Sequence, residues 1–150
     1  MGNSDDEPMT VYRWATVAGL DPAAGSGWGG LWAVLFTAQR GIEALIQVSS
    51  FSDGLDLIFL AEELRGDCDD IANRHPEDVA NAVTVDLGPL PGPDMAPVAR
   101  DLAGGLVSAG TCRVLDLLNE PQPHDESWWL AGLIVRLYAV MAELNGTVVR

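Results

Sequence analysis

Three carboxylates with helical spacing are the strongest candidates for metal chemistry in this sequence. Glu63, Asp67 and Asp70 follow one another at intervals of four and three residues, which places them along one side of a helix. Oxygen ligands of this kind suit Mg²⁺ or Ca²⁺, and a Mg²⁺ ion held there would indicate a metal-dependent enzyme. The alternative, which we favour, is a solvated helix face whose charge is partly balanced by Arg65 and Arg74.

Two arginines in apolar surroundings are the second candidate for chemistry. Arg113 and Arg136 lie on the last two predicted helices, where a buried guanidinium must find a carboxylate or an anionic ligand. One interpretation is a pocket between these helices that binds a small carboxylate or phosphate, with Trp128 and Trp129 as its walls. The other is an internal salt bridge, for which the sequence offers Asp116, Glu143 and Glu43.

The histidines and cysteines add no recognisable catalytic or metal motif. His75 and His124 both stand beside prolines at predicted helix boundaries, which favours a boundary or surface role. Cys68 and Cys112 are too far apart for a zinc-binding spacing and too few for a disulfide framework. Because both lie on predicted helices, we expect them to be reduced residues of the core.

Four long helices must position these residues. Apolar residues recur at helical spacing over 29–49, 52–74, 94–119 and 125–145, and His75-Pro76 stops the second of these helices. We expect Ser52 or Asp53 to cap the second helix. The predicted fold is all-α: a four-helix bundle of two antiparallel hairpins, joined by a proline-rich crossover over 84–93.

Residues outside the helices are expected to form short extended segments at both ends. The run 10–17 is rich in β-branched and aromatic residues, and the chain closes with Thr-Val-Val-Arg. We divide the chain into an acidic tail with an extended arm and loop, 1–28, and a single helical domain, 29–150.

The last predicted helix, 125–145, is apolar or small around most of its circumference. A helix that is apolar on nearly every side is expected to be buried by neighbouring helices, so we expect it to be the enclosed central helix. Arg136 interrupts it midway, which argues against a membrane span.

Two apolar pairs fall outside the predicted core of the first hairpin. Trp32 and Phe36, and likewise Leu55 and Phe59, are four residues apart and therefore adjacent on their helices. We expect either the N-terminal arm or another chain to cover Trp32 and Phe36. Aromatic anchors of this sort are typical of helix-mediated interfaces.

The net charge of the chain limits the classes of partner that it can bind. The chain has 22 acidic residues against eight arginines, no lysine, and a formal charge of −14. Nucleic acid and an anionic membrane would be repelled, and a cytoplasmic location is expected because no secretory signal is recognisable. The leading hypothesis is a non-enzymatic interaction or regulatory module that forms a homodimer or binds a protein partner. The alternatives are the anionic-ligand pocket and the metal-dependent enzyme.

Overall fold

The computed structural model describes residues 27–84, Leu87, Leu90 and 92–146, and this part of the chain is all-helical, without a strand. The predicted all-α class is therefore confirmed. The predicted extended runs at 10–17 and 147–150 lie outside the described residues. The elements are α1 Gly27–Gln47, α2 Phe51–Arg74, α3 Pro76–Ala80, a 3₁₀ turn at Pro93–Met95, α4 Ala96–Leu118 and α5 His124–Leu144.

Local sequence accounts for three of the helix boundaries. The hydroxyl of Ser50 accepts a hydrogen bond from the backbone N–H of Asp53, so Ser50 caps α2 and the expected cap at Ser52 or Asp53 is wrong. Pro76 begins the short helix α3 directly after His75. Proline lacks a backbone N–H, and at the first position of a helix that group would have no partner within the helix. Gly146 follows α5 with a φ of +67°, the left-handed conformation expected of a C-terminal glycine.

Helix α1 is the central helix of the core. Twelve of its 21 residues are buried, and Leu31, Leu35 and Ile42 are fully inaccessible to solvent. It packs closely against α2 along one side and against α4 along another, and α4 in turn packs against α5. The apolar residues of α1 thus hold the other helices together.

Helix α5 is peripheral, so the prediction that it is the enclosed central helix is wrong. Only five of its 21 residues are buried, and they form one stripe with spacings of three, four, three and four residues: Leu130, Leu133, Leu137, Val140 and Leu144. The opposite side exposes Trp128, Val135 and Tyr138. Helix α5 is long and apolar enough to cross a membrane, by length and composition alone. Core helices of soluble proteins meet the same criterion.

Two glycines allow other elements to pack closely against α1. A Cβ atom on Gly29 would lie 2.7 Å from the carbonyl oxygen of Asp78. The backbones of α1 and α3 can therefore contact each other at this point because Gly29 has no side chain. A Cβ atom on Gly110 of α4 would lie 2.7 Å from a methyl group of Leu35. Both contacts bring other elements against α1.

The crossover between α3 and α4 contributes to the core, since Leu87 and Leu90 are both buried. Cys68 is buried, as expected of a core residue, but Cys112 is exposed on α4, so the prediction that both thiols belong to the core is wrong for Cys112.

Candidate functional site at the α2–α5 seam

Helices α2 and α5 are joined by side chains rather than by close backbone packing. We call this line of contact the α2–α5 seam. Its residues are Asp67 and Arg74 in the C-terminal half of α2, His75 directly after α2, and Glu126, Trp129 and Arg136 of α5. Contacts pair the end of α2 with the start of α5, so the two helices run in opposite directions along the seam. The seam holds hydrogen bonds between residues 51 and 69 positions apart in the sequence.

Asp67 and Arg136 form the central contact of the seam. Nε of Arg136 donates a hydrogen bond to Oδ1 of Asp67 at 3.0 Å. The side chain of Asp67 is only 6% exposed, whereas that of Arg136 is 40% exposed. In the described part of the chain, Oδ2 of Asp67 is buried without a hydrogen-bond partner. The predicted internal partners of the arginines did not include Asp67, which is 69 residues away from Arg136.

Burial raises the pKa of Asp67 to about 6, although Arg136 acts in the opposite direction. The carboxylates of Asp70 and Glu63, on the same helix, raise this pKa further. Asp67 therefore holds its negative charge less firmly near neutral pH than an ordinary aspartate does.

Trp129 lies beneath two guanidinium groups. The guanidinium carbon of Arg74 is 5.0 Å from the centre of the Trp129 ring, and that of Arg136 is 5.7 Å away. Both distances fall in the range of cation–π contacts. Trp129 and Arg136 were predicted to share a pocket, and the structure does bring them together, but with Arg74 as the second cation.

Arg113 and Trp128, the other predicted members of the anion pocket, lie elsewhere. Arg113 is buried on α4, whereas Arg136 extends toward α2. Trp128 is 69% exposed, and its indole N–H donates to Nε2 of His124 at 2.8 Å. The structure directs Arg136 toward Asp67 of α2, and the anion pocket between α4 and α5 stays a prediction.

His75 closes the seam at the end of α2. Its Nε2 lies 3.1 Å from both carboxylate oxygens of Glu126, and its Nδ1 lies 3.7 Å from a carboxylate oxygen of Asp78. The imidazole stacks on Trp28 with ring centres 4.0 Å apart. The ring centres of Trp28 and Trp129 are 6.0 Å apart. His75 thereby links α1, α2, α3 and α5, a role that its place beside Pro76 did not reveal.

The predicted metal ligands do not form a site. In 27–84, 92–146 and the two isolated described leucines, no three His, Cys, Asp or Glu side chains are arranged to hold a metal ion. Glu63 and Asp70 are exposed, whereas Asp67 is buried against Arg136. A guanidinium therefore occupies the position next to Asp67 that the prediction gave to Mg²⁺.

The two predicted interface pairs differ in exposure. Trp32 and Phe36 stack on each other with ring centres 4.8 Å apart, and both are half-buried against the core. Leu55 and Phe59 are exposed, by 42% and 69%, on the surface of α2.

A cleft of about 310 Å³ opens beyond the seam, where α2 begins and α5 ends. Leu57 and Leu60 line it with apolar surface, and Asp53, Arg100 and Glu143 line it with charge. Nη1 of Arg100 donates to the carbonyl oxygen of Leu144 at 3.2 Å, so this arginine holds the end of α5.

Comparison of the chain with protein-family models, curated protein sequences and solved structures gave no match.

Proposed function

We propose that the chain is a helical protein-interaction module that binds a basic, amphipathic helix of a partner protein on the outer surface of α2. In this proposal the four long helices form two antiparallel hairpins, α1 with α2 and α4 with α5, joined by the proline-rich crossover as a four-helix bundle. The module acts in the cytoplasm and needs no cofactor for binding.

The observation that supports this function best is an exposed apolar stripe on α2. Phe51 is 84% exposed and Phe59 is 69% exposed, while Leu55 and Ile58 between them are each a little over 40% exposed. Spacings of four, three and one residues place all four side chains on one side of the helix. Two exposed phenylalanines and two branched aliphatic residues on one face are typical of a helix-binding surface.

The charge around the stripe favours a basic partner. Asp53, Glu62 and Glu63 are exposed on the same helix, and Arg65 is the exposed cation nearby, already paired with Glu62 at 3.6 Å. A partner helix with Leu or Phe on one face and Lys or Arg along its edges would complement both features. A second copy of this chain and an anionic bilayer both carry the wrong sign for a chain of charge −14.

The test is a binding titration with a designed 18-residue peptide whose leucines repeat at helical spacing and whose other positions are lysine and alanine. We expect saturable binding by fluorescence anisotropy, because the peptide buries its leucines against the stripe. The double variant Phe51→Ser/Phe59→Ser should weaken binding at least about tenfold, since a combined loss of about 1.4 kcal/mol from the two aromatic anchors is enough for that change.

Two controls separate docking from charge attraction. The variant Val83→Ser/Leu115→Ser removes two other exposed apolar side chains and should bind the peptide as the wild type does. A peptide of the same composition without an apolar face should bind weakly. Equal binding of both peptides, or of both variants, would contradict the proposal.

Two further measurements address the other occupants of the stripe. In sedimentation equilibrium at tens of micromolar, a dimer that Phe51→Ser/Phe59→Ser dissociates would show that a second copy occupies it. Flotation with vesicles that the same variant abolishes would assign the surface to a membrane. Either result would overturn the basic helix as the occupant.

A further inference from the structure

The cationic group on Trp129 stands out in a strongly acidic chain. Arg74 and Arg136 both lie on one indole ring, so their guanidinium carbons are within about 11 Å of each other. At physiological ionic strength the screening length is about 8 Å, so the repulsion between two exposed charges at the upper limit of this separation is largely screened. Both guanidiniums contact the uncharged indole of Trp129, although the chain has 22 acidic residues.

The two guanidiniums retain unused donors. Arg40 and Arg65 each pair with a glutamate on their own helix, at 3.0 and 3.6 Å. Arg74 forms no ion pair with any residue that the structure describes, and Arg136 donates to Asp67 through Nε. The outer nitrogens of a guanidinium are the donors that bind an oxyanion in a fork.

The carboxylates of the seam pair with other groups than Arg74. Asp67 is more than nine-tenths buried, and its second oxygen lacks a hydrogen-bond donor among the described residues. Within the seam, Asp67 pairs with Arg136 and Glu126 pairs with His75, so neither carboxylate is paired with Arg74. An oxyanion that approaches from solvent would therefore find the donors of Arg74 and the outer nitrogens of Arg136 without displacing Asp67.

From this geometry we propose that Arg74, Arg136 and Trp129 form a binding site for a doubly charged tetrahedral oxyanion, such as the phosphate group of a monoester. The two guanidiniums supply the donors, and the indole holds both of them in place by contact with its face. The site goes beyond the proposed protein-binding surface, because it lies on the α2–α5 seam, away from the exposed stripe formed by Phe51, Leu55, Ile58 and Phe59.

The experiment follows the indole N–H resonance of Trp129, assigned with Trp129→Phe, in ¹H–¹⁵N spectra of the full chain. Sodium sulfate is the probe, since it keeps two negative charges across the working pH range, and sodium chloride at equal ionic strength is the reference. We expect a saturable shift with sulfate and none with chloride. Arg74→Gln should weaken sulfate binding about tenfold, because it removes one charge-assisted fork.

Matched variants keep the result interpretable. Arg40→Gln removes an exposed arginine far from the seam in the sequence and should leave sulfate binding unchanged. Asp67→Asn should tighten binding several-fold, whereas Asp69→Asn, which removes an exposed charge from the same helix, should change it less. Because Arg74 is exposed at the end of α2, its replacement tests the site without disturbing the core.

A shift of the Trp129 resonance that is linear in sulfate, equal in chloride, or unaffected by Arg74→Gln would overturn the site. Vesicles of phosphatidylcholine with and without phosphatidic acid distinguish the source of the anion. Binding of free sulfate alone supports a soluble phosphate ligand. Additional, Arg74-dependent binding to phosphatidic acid supports a lipid headgroup at the same site.

Discussion

Arg136 reaches from α5 to a carboxylate of α2, and its Nε lies 3.0 Å from Oδ1 of Asp67. The contact joins two helices that are not in close backbone contact, and it leaves the other oxygen of Asp67 buried without a described donor. A buried carboxylate with one hydrogen bond is costly to ionise. The α2–α5 seam therefore carries an incompletely hydrogen-bonded carboxylate at its centre, whereas both carboxylate oxygens of Glu126 lie within 3.1 Å of His75 at its end.

The stability of the chain should depend on the protonation of Asp67. The pKa of Asp67 is raised from 3.8 to about 6 in the folded state, so the folded state binds its proton more tightly than the unfolded state. This contribution is fully present below about pH 3.8 and is lost as the pH rises through about 6. We expect wild type to gain about 2 kcal/mol over Asp67→Asn as the pH falls from 7 to 4. Urea denaturation of both proteins at each pH measures the difference, and parallel pH curves would refute it.

His75 should stabilise the fold more than its position at a helix boundary indicates. Replacing it by alanine removes the stacking on Trp28 and the contact with Glu126. We expect His75→Ala to lower the free energy of unfolding by about 1–3 kcal/mol. His124 is exposed and contacts Trp128 on its own helix, so His124→Ala should change it by less than about 0.5 kcal/mol. Similar losses in the two variants would show that the seam contact contributes little.

Two neighbouring residues of α5 should respond very differently to truncation. Leu133 is fully buried, and Leu133→Ala should cost about 2–5 kcal/mol because it leaves a cavity against the core. Val135 is 70% exposed, and Val135→Ala should change stability by at most about 0.5 kcal/mol. Thermal unfolding followed by circular dichroism provides the comparison. If Val135→Ala were as damaging, α5 would have to be covered on its outer side in solution.

Alanine should be harmful at one glycine and helpful at another. Gly29→Ala places a methyl group against the carbonyl oxygen of Asp78, where backbone must move, and should cost about 1–3 kcal/mol. Gly66 is an exposed residue inside α2 with open space around it, so Gly66→Ala should stabilise by up to about 1 kcal/mol. Chemical denaturation measures both changes, and the prediction requires them to have opposite signs.

The helices were predictable from the sequence because their signals are local. The apolar periodicity gave all four long helices, and Pro76 marked the end of α2. The start of α2 was harder to locate because Ser50, Ser52 and Asp53 can all cap a helix, and local sequence does not rank them. The first of the three does so.

The burial of α5 was predicted wrongly because the prediction counted apolar residues without regard to their size. Its outer side is apolar by residue type, but Ala131, Gly132 and Ala139 contribute little transfer free energy when they are buried. A helix can therefore look hydrophobic all round and still gain most of its stability from one stripe of leucines. The burial pattern follows the large side chains rather than the count of apolar ones.

The seam contacts could be predicted only as a need for partners. The sequence shows that Arg136 requires a counter-charge, but nothing local selects Asp67 among 22 acidic residues. The arrangement of Arg74 over Trp129 depends on the same tertiary contact between α2 and α5. Contacts of this range become visible only after the helices are placed.

The contrast between the two thiols gives the folded chain a built-in chemical reporter. Cys112 is open to solvent, whereas Cys68 is 3% exposed and burial raises the pKa of its thiol. A maleimide dye should therefore modify one thiol per native molecule at pH 7 and two per denatured molecule. Counting dyes by intact mass over time would report how often α2 lifts away from the interior, without any engineered label.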